Sequence, residues 1–456
     1  MPAVLEAERG EKMTRSHRTG LLLVFLGSLV FILLGVFMER RTIVAMADFK
    51  PVYYGARCLL QHCDPYNEDQ LLLVYRSESR ARTTEPPWLQ RIATRLIYLP
   101  TVFTVTIPLA LMSFGPAHVV WMIMTASGFI LAACLILDLG ADYAPRLSGG
   151  LLFVILAGSE LLIEVGNAAG IAISLSVIAA WCFLRQRFVA AGVLCLAISL
   201  LIKPHNAGFV WLYFVLAGGI LRKRALQSLL LTIILGFPSV LWVTYISPHW
   251  IQEMQSNISK FSVLGDLNDT GVSTLDVTSH GAPIVSLQME AGVFSDNQTV
   301  QNTVAYLVCA PLLLIWVVVS LRASPSWANA WLALAAISAL SMLPLYHRQQ
   351  DTRMLLLTIP ASAMLWNSGG KLKWMALLIG VVGLVFTGDL PLQILANLAN
   401  PLVVSTHGFF WKILVIAFDR PAPVVLLIMS IFYLWTYASR AFDRASRGVD
   451  EHPAQA

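Results

Sequence analysis

Charge is what this 456-residue chain has least of. Only 12% of its residues are Asp, Glu, Lys or Arg, against about 25% in soluble domains. With 57% hydrophobic residues, that deficit excludes an ordinary water-soluble domain. Cysteine is also scarce: the six are scattered, and no Cys/His spacing has the form of a zinc site. Cys134, Cys182, Cys195 and Cys309 fall inside apolar segments as small core residues. Cys58 and Cys63 share one loop, and pair if that loop faces an oxidising compartment. There is no nucleotide-binding glycine-rich loop, no internal repeat and no low-complexity tract. No small-residue cleavage site follows the first apolar run, so that run is read as a retained span.

What remains is apolar sequence in runs long enough to cross a bilayer, recurring along the whole chain. The runs are continuous rather than alternating, so the backbone is satisfied in helices and not in a barrel. The expectation is an all-α polytopic membrane protein. The net charge of +5 needs no nucleic acid, because clusters such as Arg222-Lys223-Arg224 flank apolar segments.

Residues 20–38 form the first span, and 39–95 the first large outer loop, basic in its later part (Arg76, Arg80, Arg82, Arg91, Arg95). Spans follow at Tyr98–Phe114 and Ala117–Asp138. The stretch 148–184 is broken at Glu164-Val165-Gly166-Asn167, which reads as a short re-entrant half and one crossing. The break is either a site or a plain hairpin turn. Short spans at 188–202 and 206–221 meet at Lys203-Pro204-His205-Asn206, and 226–246 crosses outward to the second outer loop, about 247–301. That loop carries Asp266, Asp269, Asp276, His280 and Glu290, and N-x-S/T triplets at Asn257, Asn268 and Asn297 that chance explains.

Spans at 303–321, 327–345, about 352–366 and 373–388 come next. Residues 389–417 read as interfacial helices or a re-entrant pair, 421–439 as a last span, and about 440–456 as a cytoplasmic tail. With both ends inside, about twelve helices cross the membrane.

By this parity the polar clusters meet on one side. They are Asp48 with Tyr53 and Tyr54, Asn167, Lys203 with His205, and His347 with Asp351 and Arg353. An acid or base, cations for an anionic leaving group and aromatic surface are what an outward-facing active site requires. Each residue also has a plainer reading: a snorkelling Lys203, an interfacial His347, Arg348 and Arg353 as helix-end anchors.

The segment Ala47-Asp48-Phe49 with Tyr53-Tyr54, then Asp64-Pro65-Tyr66, resembles the first outer loop of polyprenyl-phosphate-sugar-dependent glycosyltransferases of the GT-C fold. It is most similar to glycosyltransferase family 87, which includes bacterial mannosyltransferases. Gly166-Asn167 stands where the family shows Gly-Gln-x-Asn, followed by Ala191-Gly192, Lys203-Pro204 and an outer turn with His347. The likeness runs in order over about residues 20–225 and less clearly over 340–366. Tyr98-Leu99-Pro100 stands near the place of the usual Tyr-Pro-Pro, with Pro86-Pro87 displaced upstream.

The resemblance implies one GT-C domain over 1–456 with about twelve spans, short re-entrant segments and two large outer loops. It implies hexosyl transfer, mannose favoured, from a polyprenyl-phosphate-sugar donor to a glycolipid or glycan acceptor on the outer face of the plasma membrane. Asp48 would be the general base of an inverting reaction. Lys203, His205 or Arg353 would stabilise the departing phosphate, His347 would orient phosphate or acceptor, and Tyr53 and Tyr54 would stack on a sugar. Membrane lipids are the surroundings, nucleic acid is no partner, and neither cofactor nor metal is required. A transporter or flippase of a lipid-linked sugar is the rival reading, although no symmetry between halves supports it. A membrane scaffold with partner-binding outer loops is a third.

Overall fold

The computed structural model describes residues 2–78, 86–263, 268–270, 284–324, 326–405 and 408–447. Arg80, Arg82, Asp266, Asp276, His280 and the end of the tail lie outside the described residues. The described secondary structure is helical apart from one isolated antiparallel bridge, Ile284 to Arg348.

Five helices are long and apolar enough to cross a membrane: Arg15–Arg41, Phe114–Ala141, Gly219–Ile246, Gln298–Arg322 and Pro421–Ala441. A sixth arises if Gly370–Phe386 and Asp389–Leu395, bent by 79° at their junction, count as one. The expectation of about twelve crossings thus reduces to five or six by length and composition.

The reason is local. Prolines and polar breaks cut the other apolar stretches into helices of 10–17 residues, about 15–26 Å long at 1.5 Å per residue, short of a ~30 Å hydrocarbon core. Pro100 opens and Pro108 interrupts the stretch read as Tyr98–Phe114, leaving Pro100–Ala110. Lys203-Pro204 separates Val189–Ile202 from Pro204–Leu216, because proline has no N–H for the continuing ladder. Ala169–Arg185 and Trp327–Leu340 are apolar on nearly all sides and largely buried, as inner helices should be.

The segment read as the first outer loop is folded into helices packed on one another. It holds helices Phe49–Leu60, Glu68–Glu78 and Pro87–Thr94. Arg57 pairs with Glu78 through two bonds of 2.8 and 2.9 Å from Nε, Arg95 pairs with Glu68 at 3.1 Å, and Cys58 is disulfide-bonded to Cys63.

The described end of the second loop is docked too. Val285 N–H donates to the His347 carbonyl at 2.9 Å and Leu287 N–H to the Leu343 carbonyl at 3.0 Å. All three triplet asparagines serve the fold. Asn257 donates to the Tyr66 and Leu96 carbonyls, Asn268 accepts from Arg348 and Tyr346, and Asn297 caps the helix Gln298–Arg322.

Candidate active site

Asp48 is the N-cap of helix Phe49–Leu60, yet its side chain makes no cap bond. The neighbouring sequence explains this. The amides of Phe49 and Lys50 already donate to the Met46 carbonyl, and the next residue, Pro51, has no amide. The carboxylate is therefore free of the local role that an N-cap Asp usually plays. Instead its Oδ2 accepts from Asn167 Nδ2 at 2.7 Å and from Gln350 Nε2 at 3.1 Å. Both bonds fall on one oxygen, which fixes the plane of the carboxylate.

The break in 148–184 delivers Asn167. Backbone carbonyls of Glu164 and Val165 accept from the amides of Met46 (2.8 Å) and Asp48 (2.9 Å), stitching the two segments together. Gly166 has φ +64, and a Cβ there would lie 2.5 Å from Met46 Sδ and 3.1 Å from Phe49 Cβ. Both its conformation and the close approach require glycine. Asn167 then turns its Oδ1 to the Ala169 amide at 2.8 Å, an Asx turn opening the next helix.

Lys203 sits at the Pro204 kink and is 7% exposed. Its Nζ lies 2.6 Å from Asp351 Oδ1 and 3.4 Å from Asn167 Oδ1. Asn206 donates to the same Asp351 oxygen at 2.8 Å, and Arg348 N–H to Oδ2 at 2.9 Å. Asp351 is buried, which pushes its carboxyl up, but Lys203 and then His347 outweigh this and hold it well below the usual carboxylate range. Burial, with Lys203 and His347 as neighbours, lowers the His205 imidazole to about 3.

A cavity of about 1080 Å³ is lined by Asp48, Asn167, Lys203, His205, Arg348 and Gln350 among others, at the upper end of small-ligand sites. Its apolar wall includes Met38, Ile43, Ile202 and Tyr306. Glu160, Asp389 and Arg420 line other parts of it.

Asp48, Asn167, Lys203 and His205 are thus brought together as expected of one site. The tyrosines are not. Five and six residues after Asp48, a helix at 100° per residue turns Tyr53 and Tyr54 about 140° and 120° away from it. They lie buried against Phe114, and the Tyr53 hydroxyl donates to the Met112 carbonyl at 2.7 Å. They support the helix that carries Asp48 and do not line the cavity. Arg353 is likewise withdrawn: its guanidinium is ion-paired with Asp389 and donates to the Thr387 carbonyl at 2.9 Å. His347 lies behind the wall, 1% exposed, with its Nδ1 3.3 Å from Asp351 Oδ2.

No protein-family model matches this chain, and no curated protein does. Among solved structures it is similar to the archaeal oligosaccharyltransferase AglB from Archaeoglobus fulgidus, solved with an inhibitory peptide and a dolichol-phosphate. The identity is 11% over 92% of this chain, and the TM-score is 0.39. The chain spans 56% of that structure's length. A likeness this loose transfers neither residues nor chemistry.

Gln350 gives little sign of its importance in the sequence, and Asp351 is grouped there with His347 and Arg353 without a role of its own. Gln350 looks like any loop glutamine, and Asp351 stood among the polar residues of a turn. Both belong to Gln349–Thr358, a ten-residue 3₁₀ helix buried along its length. Such helices seldom exceed three or four residues, and long ones mark strained or functional segments.

Proposed function

We propose that this protein is an integral-membrane glycosyltransferase acting on a lipid-linked donor. The reaction is transfer of a hexose, mannose by the family resemblance, from a polyprenyl-phosphate-sugar to a glycolipid or glycan acceptor. It runs with inversion at the outer face of the plasma membrane. One observation carries the reading: the oriented Asp48 carboxylate shares a cavity with two cationic side chains, Lys203 and Arg348, and an apolar wall.

In the proposed step Asp48 takes the acceptor hydroxyl proton as that oxygen attacks the anomeric carbon. The bond from the anomeric carbon to phosphate oxygen breaks, and polyprenyl phosphate leaves with the bonding pair. Lys203 and Arg348, with His205 on the same wall, stabilise the charge that gathers on phosphate. This replaces the role expected of Arg353, which does not line the cavity and is paired with Asp389.

The test is transfer from a polyprenyl-phosphate hexose to extracted glycolipid in proteoliposomes. Asp48→Asn is expected to slow it about 10²–10⁴-fold, the usual worth of a positioned base, with the protein still monodisperse. Near-normal turnover overturns the assignment. Donor translocation without any glycosylated product overturns it in favour of a flippase.

A further inference from the structure

Beside the Lys203–Asp351 pair lies a group of side chains of which the transfer chemistry uses only His205. His205, from the start of helix Pro204–Leu216, and His347, from the segment before Gln349–Thr358, meet edge to face with ring centroids 5.0 Å apart. Asp351 completes the group, and one ligand-type atom from each of the three lies within 4.8 Å of the others.

His347 is buried, and neither ring nitrogen has a hydrogen-bond partner among the described residues. Its 3.3 Å approach to Asp351 Oδ2 is close but lacks hydrogen-bond geometry. A buried imidazole with both nitrogens unsatisfied demands a cause. A spacing of 3.3 Å is about what two ligands of one tetrahedral zinc have when each stands ~2.0–2.1 Å from the metal.

We propose that His205, His347 and Asp351 form a divalent-cation site of zinc type, with three protein ligands and a fourth position open to the cavity.

The surroundings fit this assignment. Asp351 divides its work, with Oδ1 engaged by Lys203 and Asn206, while Oδ2 accepts from the Arg348 amide and is turned toward His347. Ligating carboxylates are commonly held by such neighbouring donors. His205 and Asp351 line the cavity wall while His347 is buried behind it, so the open position faces the cavity. Two histidines and one carboxylate are ligands that zinc accepts, and a three-ligand site leaves room for water or a substrate oxygen. Metal together with Lys203 and Arg348 would make this wall strongly cationic, suited to an anionic oxygen such as phosphate; that last role rests on the transferase reading. His205 stands over 140 residues before His347 and Asp351, so no sequence spacing announced the full set.

The experiment uses the full-length protein in detergent, stripped by chelator and re-equilibrated with Zn²⁺ alone. Metal content is measured by mass spectrometry, and Co²⁺ substitution reports coordination by its absorption. About one Zn²⁺ per chain is expected, with tetrahedral Co²⁺ absorption. His347→Ala and His205→Ala should each weaken retention at least tenfold, while His249→Ala leaves it unchanged. The partly exposed position of His205 keeps the test meaningful should His347→Ala fail to fold. Failure of the wild-type chain to retain Zn²⁺, or equal retention in His205→Ala, overturns the proposal. Neither result bears on Asp48, since the readout is metal content and not transfer.

Discussion

Asn167 donates to Asp48 across 119 positions of sequence, through a 2.7 Å bond. The same amide presents its oxygen to Ala169 N–H and Lys203, so its orientation is set from both ends. One residue thus ties the acid of the first folded loop to the cation of the Lys203-Pro204 kink.

Asn167→Ala removes this tie and the Asx turn together. Transfer activity is expected to fall about 10–100-fold as the carboxylate loses a positioning bond, a loss seen mainly in kcat. Stability should fall by roughly 1 kcal/mol for the lost hydrogen bonds. Steady-state kinetics alongside thermal unfolding in detergent separates the two. Unchanged kcat overturns the positioning role.

Lys203 and Asp351 form a buried ion pair, and truncating one partner strands the other. Lys203→Met should destabilise by about 3–5 kcal/mol. The double variant with Asp351→Asn should regain part of this, because no buried charge is left uncompensated. A double-variant cycle in thermal or denaturant unfolding checks the sign of the coupling. Additive losses contradict the pairing.

Gly166→Ala meets two obstacles, a positive φ and the Met46 sulfur 2.5 Å from the added carbon. The expected loss is roughly 1–3 kcal/mol. Adding Met46→Ala relieves the clash but leaves the backbone strain, so it should restore only part. Full recovery in the double variant shows the strain to be negligible.

Glu290, on the short helix Leu287–Gly292, has both carboxylate oxygens buried without a hydrogen-bond partner among the described residues. Burial raises its carboxyl from 4.5 to about 8, with Arg420 opposing and Asp419 reinforcing. The folded value lies above the unfolded one, so between these limits the folded chain holds a proton that the unfolded chain has released. Stability attached to this group is present at low pH and declines as pH rises through that window, by on the order of a few kcal/mol. Glu290→Gln should flatten the decline between pH 5 and pH 8 in melting experiments. An identical slope in the variant rules the group out as its source.

Some of this was legible along the chain, because it depends on local composition and covalent geometry. Missing charge and continuous apolar runs require a helical membrane protein, since backbone groups in hydrocarbon find partners only within helices. Gly166-Asn167 and Lys203-Pro204 announced themselves as breaks, because glycine and proline act on their own backbone whatever surrounds them. Both breaks carry residues that line the cavity, Asn167 and Lys203.

Hydrophobicity could not, however, distinguish a helix that crosses lipid from one enclosed by protein. Trp327–Leu340 has the composition of a span and lies inside the molecule. Nor could it say which way Tyr53 and Tyr54 face, since an aromatic pair beside an acid suits a sugar platform and a buried buttress equally. The partnerships were beyond reach for the same reason. Gln350 reaches Asp48 across 302 positions, Lys203 reaches Asp351 across 148, and Arg353 turns to Asp389. Sequence determined where the chain breaks and which polar groups stand at the breaks. Only the packing of helices decided which of those groups meet, because hydrogen bonds and ion pairs act over about 3 Å and are indifferent to separation along the chain.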